Sequence, residues 1–154
     1  MKKPSARQTV ATFALTVAAI AFSAPASAQF QKPEDAIKYR QSAMYVKSRH
    51  LGRIGAMVNG RVPFDAKLMA ENADVVAMMA GVVLPGFGSG TEGGKAKAEI
   101  WKEQAKFKEL ADAGLVEAIK LVAAAKTGNL DNVKAVFSVT AGTCKSCHDS
   151  FQSK

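Results

Sequence analysis

The sequence predicts an all-α protein folded as an antiparallel, up-down-up-down four-helix bundle. Three observations carry that expectation. Apolar residues recur at steps of three and four along most of the chain, the spacing of one helix face. Glycine and proline divide this pattern into four segments joined by connections of a few residues, and short connections favour antiparallel neighbours. No stretch alternates apolar and polar residues as a half-buried strand does. With 154 residues and 48% hydrophobic content, the chain has material for one core and one domain rather than two.

The N-terminus stands apart from that pattern. Lys2, Lys3 and Arg7 precede an apolar run from Val10 to Phe22 (VATFALTVAAIAF), followed by Ser23-Ala24-Pro25-Ala26-Ser27-Ala28. A basic start, a short apolar run and a small-residue A-x-A site form a secretory signal, with cleavage expected after Ala28. The run is too short for the roughly 20 apolar residues of a membrane anchor. The expected organisation is a cleaved signal peptide over 1–28 and one helical domain over 29–154. That domain is expected in the periplasm, with no membrane span once the signal is removed. Losing three of the 21 basic residues leaves 18 against 13 acidic ones, a net +5 in place of +8. The balance is mild, and without a Lys/Arg run or interleaved aromatics it gives nucleic-acid binding no support.

The first helical segment begins at Lys32-Pro33-Glu34-Asp35, with proline near the first turn and acids at the positive end of the dipole. It ends at Asn59-Gly60. Ile37, Met44, Leu51 and Val58 recur every seven residues, with Ile54 on the same stripe. Gly52 and Gly55 each cost about 1 kcal/mol relative to Ala, so both are expected where another helix or a ligand comes close. Segment two starts around Pro63-Phe64-Asp65 and runs to Val83, with Leu68, Met69, Val75, Val76 and Met79 as apolar positions. Residues 85–94 (PGFGSGTEGG) form a glycine-rich loop with one large apolar residue, Phe87.

Segment three is expected as one helix from about Lys95 to Lys126. Ile100, Phe107, Gly114 and Leu121 form one row, and Ala111, Ala118 and Ala125 a small-residue row that lets a neighbour approach. Thr127-Gly128 ends it. The fourth segment starts at Asn129-Leu130-Asp131, where Asn129 or Asp131 can cap, and continues to the end. Val133, Phe137, Thr140, Cys144, Cys147 and Phe151 fall on one continuous stripe.

The chemistry lies on that last stripe. Residues 144–148 read Cys-Lys-Ser-Cys-His, and Cys-x-x-Cys-His is an attachment motif for a covalent c-type haem. On a helix, Cys144 and Cys147 share a face where both thiols can form thioethers with the vinyl groups of one haem. His148 then directs its imidazole at the iron as axial ligand. Export agrees, because such haem is attached outside the cytoplasm. Two cysteines exclude a disulfide-rich scaffold, a four-cysteine zinc site and an iron–sulfur cluster. Zinc would have only Cys144, Cys147, His148 and the distant His50, and adjacent Cys147 and His148 rarely both bind one tetrahedral ion. A thioredoxin-type pair would open a helix after a strand. A plain disulfide stays open. The bundle is therefore expected to enclose one haem c per chain.

The far side of the cofactor must come from other helices. Arg40 shares the apolar stripe of the first helix, where an unpaired buried charge is costly. A haem propionate is its natural partner and Gln41 can donate beside it; the alternative is a guanidinium reaching solvent. Met44, one turn on, is either plain core or a thioether able to bind iron and raise its potential. His50 lies off the stripe and reads as a surface or half-buried residue. Phe87 can line the haem edge, and Trp101 packs. Lys102, Lys106, Lys108 and Lys145 read as a solvated face, with docking of an acidic redox partner as the sharper option.

These residues together resemble the cytochrome c′ family, the class II c-type cytochromes. The C-terminal CKSCH, the N-terminal KPEDAIKYRQSAM and FGSGTEGG followed by EIW carry the resemblance across essentially the whole exported chain. Cytochromes c′ are themselves a standard example of the up-down-up-down bundle, so that agreement is not independent. The resemblance implies a periplasmic homodimer with five-coordinate, high-spin haem and His148 as proximal ligand. It matches Met44 to a bulky residue that shields the sixth site without binding, and Arg40 and Gln41 to the propionate side. It also implies binding of nitric oxide and carbon monoxide, with electron transfer as a further role. Members often carry a basic residue four after the proximal histidine, where this chain has Gln152.

The resulting expectation is a gas-binding haem protein, not an enzyme, with an apolar sixth side that offers no hydrogen-bond donor. The alternative is a low-spin electron carrier with Met44 on the iron. No distal His or Arg base pair is visible for peroxide cleavage. The dimer is expected to form through outer faces of the first two helices, around Met57, Val75 and Val82.

Overall fold

The structure, a computed structural model, describes residues 29–154; the signal peptide expected over 1–28 lies outside the described residues. The elements are α1 (Pro33–Val58), α2 (Ala66–Val82), a 3-10 turn (Leu84–Phe87), the one-turn α3 (Glu99–Lys102), α4 (Gln104–Lys126) and α5 (Leu130–Phe151). The four long helices form the expected antiparallel bundle. Local chemistry sets their ends. Pro33 opens α1 where its missing N–H is not needed, with Glu34 and Asp35 in the first turn. Asp65 caps α2 by accepting from the Leu68 N–H at 2.9 Å. Asn129 caps α5 by accepting from the N–H groups of Asp131 at 2.8 Å and Asn132 at 3.3 Å. Gly128, with φ +65°, stops α4.

Packing runs around a ring, α1 on α2, α2 on α4 and α4 on α5, and the circuit is weakest where α1 meets α5. One end of the ring is filled by Ile54, Met57, Met69, Val76, Leu121 and Val133, with Ala118, Ala124 and Ala125 of α4 admitting α2 closely. A second, aromatic cluster of Ile100, Phe107 and Phe151 closes the other end. The Phe107 and Phe151 rings meet edge to face at 5.4 Å. The α5 stripe follows the sequence expectation, with Val133, Thr140 and Phe151 buried and Phe137, Cys144 and Cys147 half-buried.

Four expectations change. The third segment is not one helix. Residues 95–97 pair with the C-terminus through an isolated bridge at Ala96, the Lys97 N–H donating to Phe151 O at 3.0 Å and the Ser153 N–H to Lys95 O at 2.9 Å. A strand-like bridge and a helix cannot share the same backbone groups, so α4 starts only at Gln104. On α1 the fully buried positions are Ala36, Arg40, Ala43, Ile54 and Met57, while Ile37, Met44, Leu51 and Val58 are half-buried. A strict seven-residue row drifts about 20° per heptad across a straight helix, and here it runs along the margin of the buried face, with Met44 lining the α1–α5 gap and Leu51 and Val58 packed on the edge of the core. Met57, 4% exposed, therefore belongs to the core and not to an outer dimer face. Gly52 faces open space, whereas a Cβ on Gly55 would sit 3.1 Å from Phe137 Cζ.

That difference between the two glycines is measurable. Gly52→Ala is expected to stabilise the holoprotein by about 0.5–1 kcal/mol in urea unfolding, since only the entropic cost of glycine is removed. Gly55→Ala forces the Phe137 ring to give way and does not show that gain.

Candidate functional site

The α1–α5 gap holds a cleft. Its outer part is a cavity of about 440 Å³ lined by Arg40, Gln41 and Met44 of α1, Phe87, and Cys147 and His148 of α5. A narrow inner part of about 50 Å³ adds Lys47 and Cys144. Met44, Phe87, Phe107, Cys147 and His148 line both parts. All seven residues singled out from the sequence, Arg40, Gln41, Met44, Phe87, Cys144, Cys147 and His148, thus border one space. His50 does not. Its Nδ1 lies 2.8 Å from Asn72 Oδ1, and Asn72 Nδ2 donates to Leu68 O at 2.5 Å.

The motif sits on unbroken helix, in the last two turns of α5. On a helix, residues three apart have Cβ atoms about 5–6 Å apart, beyond the roughly 3.5–4.5 Å of a disulfide. A bond between Cys144 and Cys147 would have to distort this turn of α5, and both thiols are free. A thioredoxin-type nucleophile needs a stabilised thiolate. Burial instead pushes the Cys147 thiol up, with the Lys47 charge opposing and Cys144 adding. Among the described residues no group of three His, Cys, Asp or Glu could hold a metal ion, so zinc lacks a ligand set. His148 is pushed down, by desolvation first and the Lys47 charge second, with Asp149 opposing. Its ring is neutral at pH 7, the form that ligates a metal.

The end of α5 is tied down. The Gln152 N–H donates to His148 O at 2.9 Å before the chain enters the Ala96 bridge. Lys97 Nζ donates to the carbonyls of Asp149 at 3.1 Å and Ser150 at 3.2 Å, a cation on the negative end of the helix. Gln152 itself is exposed and borders the outer cavity.

Arg40 is 3% exposed. Its Nη1 donates to Gly86 O at 2.6 Å and Thr91 O at 2.7 Å, and Nη2 to Gly93 O at 2.8 Å. The guanidinium carbon lies 4.8 Å from the Phe87 ring centroid and 5.4 Å from that of Trp101. Sequence reasoning missed this role: Arg40 fastens the glycine loop onto α1. Gly86 is required there, because a Cβ would lie 2.9 Å from Arg40 Cβ. Trp101 Nε1 donates to Gly88 O at 2.8 Å and holds the same loop from its other side. Three carbonyls engage three of the five guanidinium N–H groups. The Nε–H and one Nη2–H have no acceptor among the described residues, and no carboxylate lies within ion-pair distance. Burial pushes the Arg40 pKa down and Glu92 opposes it; the group stays charged regardless.

Lys47 was also missed. It is half-buried, three residues after Met44, and lines the inner cleft. The steps Arg40, Met44, Lys47, Leu51 of four, three and four were the available signal. The inner cleft is accordingly not free of donors, contrary to expectation. Of the surface lysines, Lys106 pairs with Glu103 just before α4, and Lys108 and Lys145 pair with Asp112 and Asp149 on their own helices. Such exposed pairs add little stability but neutralise much of the face proposed for docking.

The cleft fits a haem. Its volume falls in the roughly 300–1,000 Å³ range of cofactor sites. Its walls are aromatic and aliphatic, its mouth holds cations from Arg40 and Lys95, and two thiols and a neutral imidazole meet at one side.

Comparison with known proteins agrees. A sequence model described as Cytochrome C′ matches residues 35–152. The cytochrome c′ of Rubrivivax gelatinosus is 46% identical over 129 residues, covering 82% of this chain and 100% of the relative. Its crystal structure superposes with a TM-score of 0.78, covering 81% of this chain and 100% of that one. A nitric oxide complex of a variant of cytochrome c prime from Alcaligenes xylosoxidans, 42% identical, gives a TM-score of 0.79 over 82% of this chain and 99% of that one.

The clamp on the glycine loop gives a direct test. Arg40→Met keeps most of the stem but leaves three carbonyls without their charged donor. It is expected to lower unfolding free energy by roughly 2–4 kcal/mol in guanidinium titrations of the holoprotein.

Proposed function

The chain belongs to the cytochrome c′ family of c-type haem proteins, and from that premise we propose an exported, periplasmic, non-enzymatic gas-binding protein. One haem c is held by thioethers to Cys144 and Cys147, with His148 as its axial ligand. In this reading the iron would be five-coordinate and high-spin, and would take nitric oxide and carbon monoxide at its open site. The single observation that carries this reading is the cleft itself, which puts the two thiols, the neutral imidazole and Met44 around one space of cofactor size. A haem supplies an iron able to bond a diatomic ligand, and the remaining requirements fall to the chain.

Cys144 and Cys147, one turn apart on α5, fix the register of the cofactor along that helix. His148, backed by the bridge at residues 152 and 96, holds a neutral ring nitrogen toward the metal. Arg40 keeps two N–H donors and an uncompensated buried charge for a propionate, with Gln41 and Lys95 at the same mouth. Phe87, fixed by the loop that Arg40 fastens, and Phe107 cover the cofactor edge and exclude water. Met44 stands where an entering ligand must pass. Its thioether also supports the second reading, a low-spin electron carrier with Met44 on the iron; both readings turn on this one side chain.

The homodimer is proposed through the outer faces of α1 and α2. Leu68, Met78 and Val82 are large apolar residues of α2 exposed at 50%, 61% and 38%. Met57 plays no part in that face. The signal over 1–28 delivers the chain to the compartment where haem attachment and dimerisation occur.

Optical spectra of the purified holoprotein decide the first question. A high-spin ferrous spectrum that changes at once with nitric oxide is expected, and Met44→Ala speeds carbon monoxide association about tenfold, a barrier change of about 1.4 kcal/mol. A split low-spin ferrous spectrum with a weak ferric iron–sulfur band would instead assign Met44 as ligand and favour electron transfer. In equilibrium sedimentation at micromolar concentration the expected mass is that of a dimer; a single monomer mass refutes the apolar-face reading.

A further inference from the structure

We propose that Lys47 makes the inner side of the haem cleft a site for small inorganic anions and other hydrogen-bond-accepting ligands, in addition to neutral gases. This rests on the reading above that the cofactor fills the cleft with its inner side open.

The placement comes first. Lys47 follows Met44 by three residues on α1, so the two side chains share one helix face, and both line the inner cleft opposite Cys144, Cys147 and His148. The surroundings come second. None of the residues lining that part is a carboxylate, and Lys47 enters no ion pair or hydrogen bond among the described residues. The other hydroxyl donors of the wall are already engaged. Thr140 donates to Val136 O at 3.0 Å and Thr143 to Val139 O at 3.0 Å. Arg40 and Lys95 line the outer cleft and not this inner part, and Arg40 commits three of its N–H donors to the glycine loop. Lys47 is therefore the side chain of the inner wall, His148 aside, whose N–H donors are free to meet a ligand.

A half-desolvated ammonium among apolar groups attracts an anion more strongly than one in water. It also favours the less positive, ferrous state of a nearby iron. A neutral, weakly polar gas such as carbon monoxide gains little from it. The charge thus selects among ligands where the bulk of Met44 only obstructs. The competing use of Lys47 is to send its ammonium to solvent along its own stem, and the two differ in measurable ways.

The test compares wild type, Lys47→Met and Lys47→Arg holoproteins. Sodium azide is titrated into the ferric form and carbon monoxide into the ferrous form, and the reduction potential is read by spectroelectrochemistry. Methionine keeps the stem and removes the charge. Lys47→Met is expected to weaken azide binding about tenfold, the scale of one charge acting over a few ångströms at intermediate dielectric. Carbon monoxide affinity stays within about twofold, and Lys47→Arg retains azide binding. The ferric–ferrous equilibrium shifts about tenfold toward ferric, a fall of about 59 mV. Equal losses for azide and carbon monoxide would make Lys47 a packing residue and overturn the proposal. So would azide affinity and potential that both stay unchanged. If wild type proves low-spin with an internal ligand, the open-site reading fails separately, and the potential alone then decides: a fall on Lys47→Met supports the charge, no change overturns it. Conversion from low-spin to high-spin by Lys47→Met would show the amine itself on the iron, and would also overturn it.

Discussion

The buried guanidinium of Arg40 is the constraint on which the working end of the molecule depends. A charge this deep is costly unless its donors are met, and three of the five are met here by carbonyls of one glycine-rich loop. That arrangement runs in both directions. The loop satisfies Arg40, and Arg40 gives an otherwise unstructured run of glycines a single conformation on the face of α1. Phe87 is carried into place by the same loop, and Trp101 seals it from outside. Without the clamp, the cleft would lose one wall and its mouth would have no fixed outline.

The opposite wall is held by a different device. The helix bearing Cys144, Cys147 and His148 would fray at its C-terminus, where four carbonyls have no intrahelical donor. Lys97 and the short antiparallel bridge at Ala96 and Gln152 take up that end. One wall is thus fixed by a buried cation gripping a loop, the other by backbone pairing and a surface cation. Between them lies the side of the ring where α1 and α5 meet least, which is why the bundle has room for a large flat group there.

Much of this was legible in the sequence. Helix period, caps and stops gave the four long helices, because these depend on local chemistry, and the five-residue motif gave the site. What was not legible depended on partners distant along the chain. Nothing around Lys95 announces that it will pair with residues beyond Phe151, so α4 was drawn too long. The carbonyls that receive Arg40 belong to a loop 46 to 53 residues away, and backbone acceptors leave no mark in a sequence. The seven-residue row of α1 reads as the core line and leaves Met57 outside it, although such a row drifts around a straight helix. Lys47 was overlooked for the opposite reason: a lysine between apolar positions reads as a solvated residue until the helix facing it is known.

The two clusters at opposite ends of the ring have a consequence for how the protein comes to be assembled. The Ile54–Leu121–Val133 end carries a complete apolar interior of its own, with all four long helices contributing or packed against it. The cleft end has a thinner aromatic floor and an unfilled gap above it. Opening free energies within one domain follow such differences in burial. The chain can therefore hold its helices in register from one end while the other remains loose enough to admit a bulky ring system, which then becomes the missing part of the interior. A ring system held in the cleft would complete the interior at the end of the bundle that the side chains alone leave unfilled.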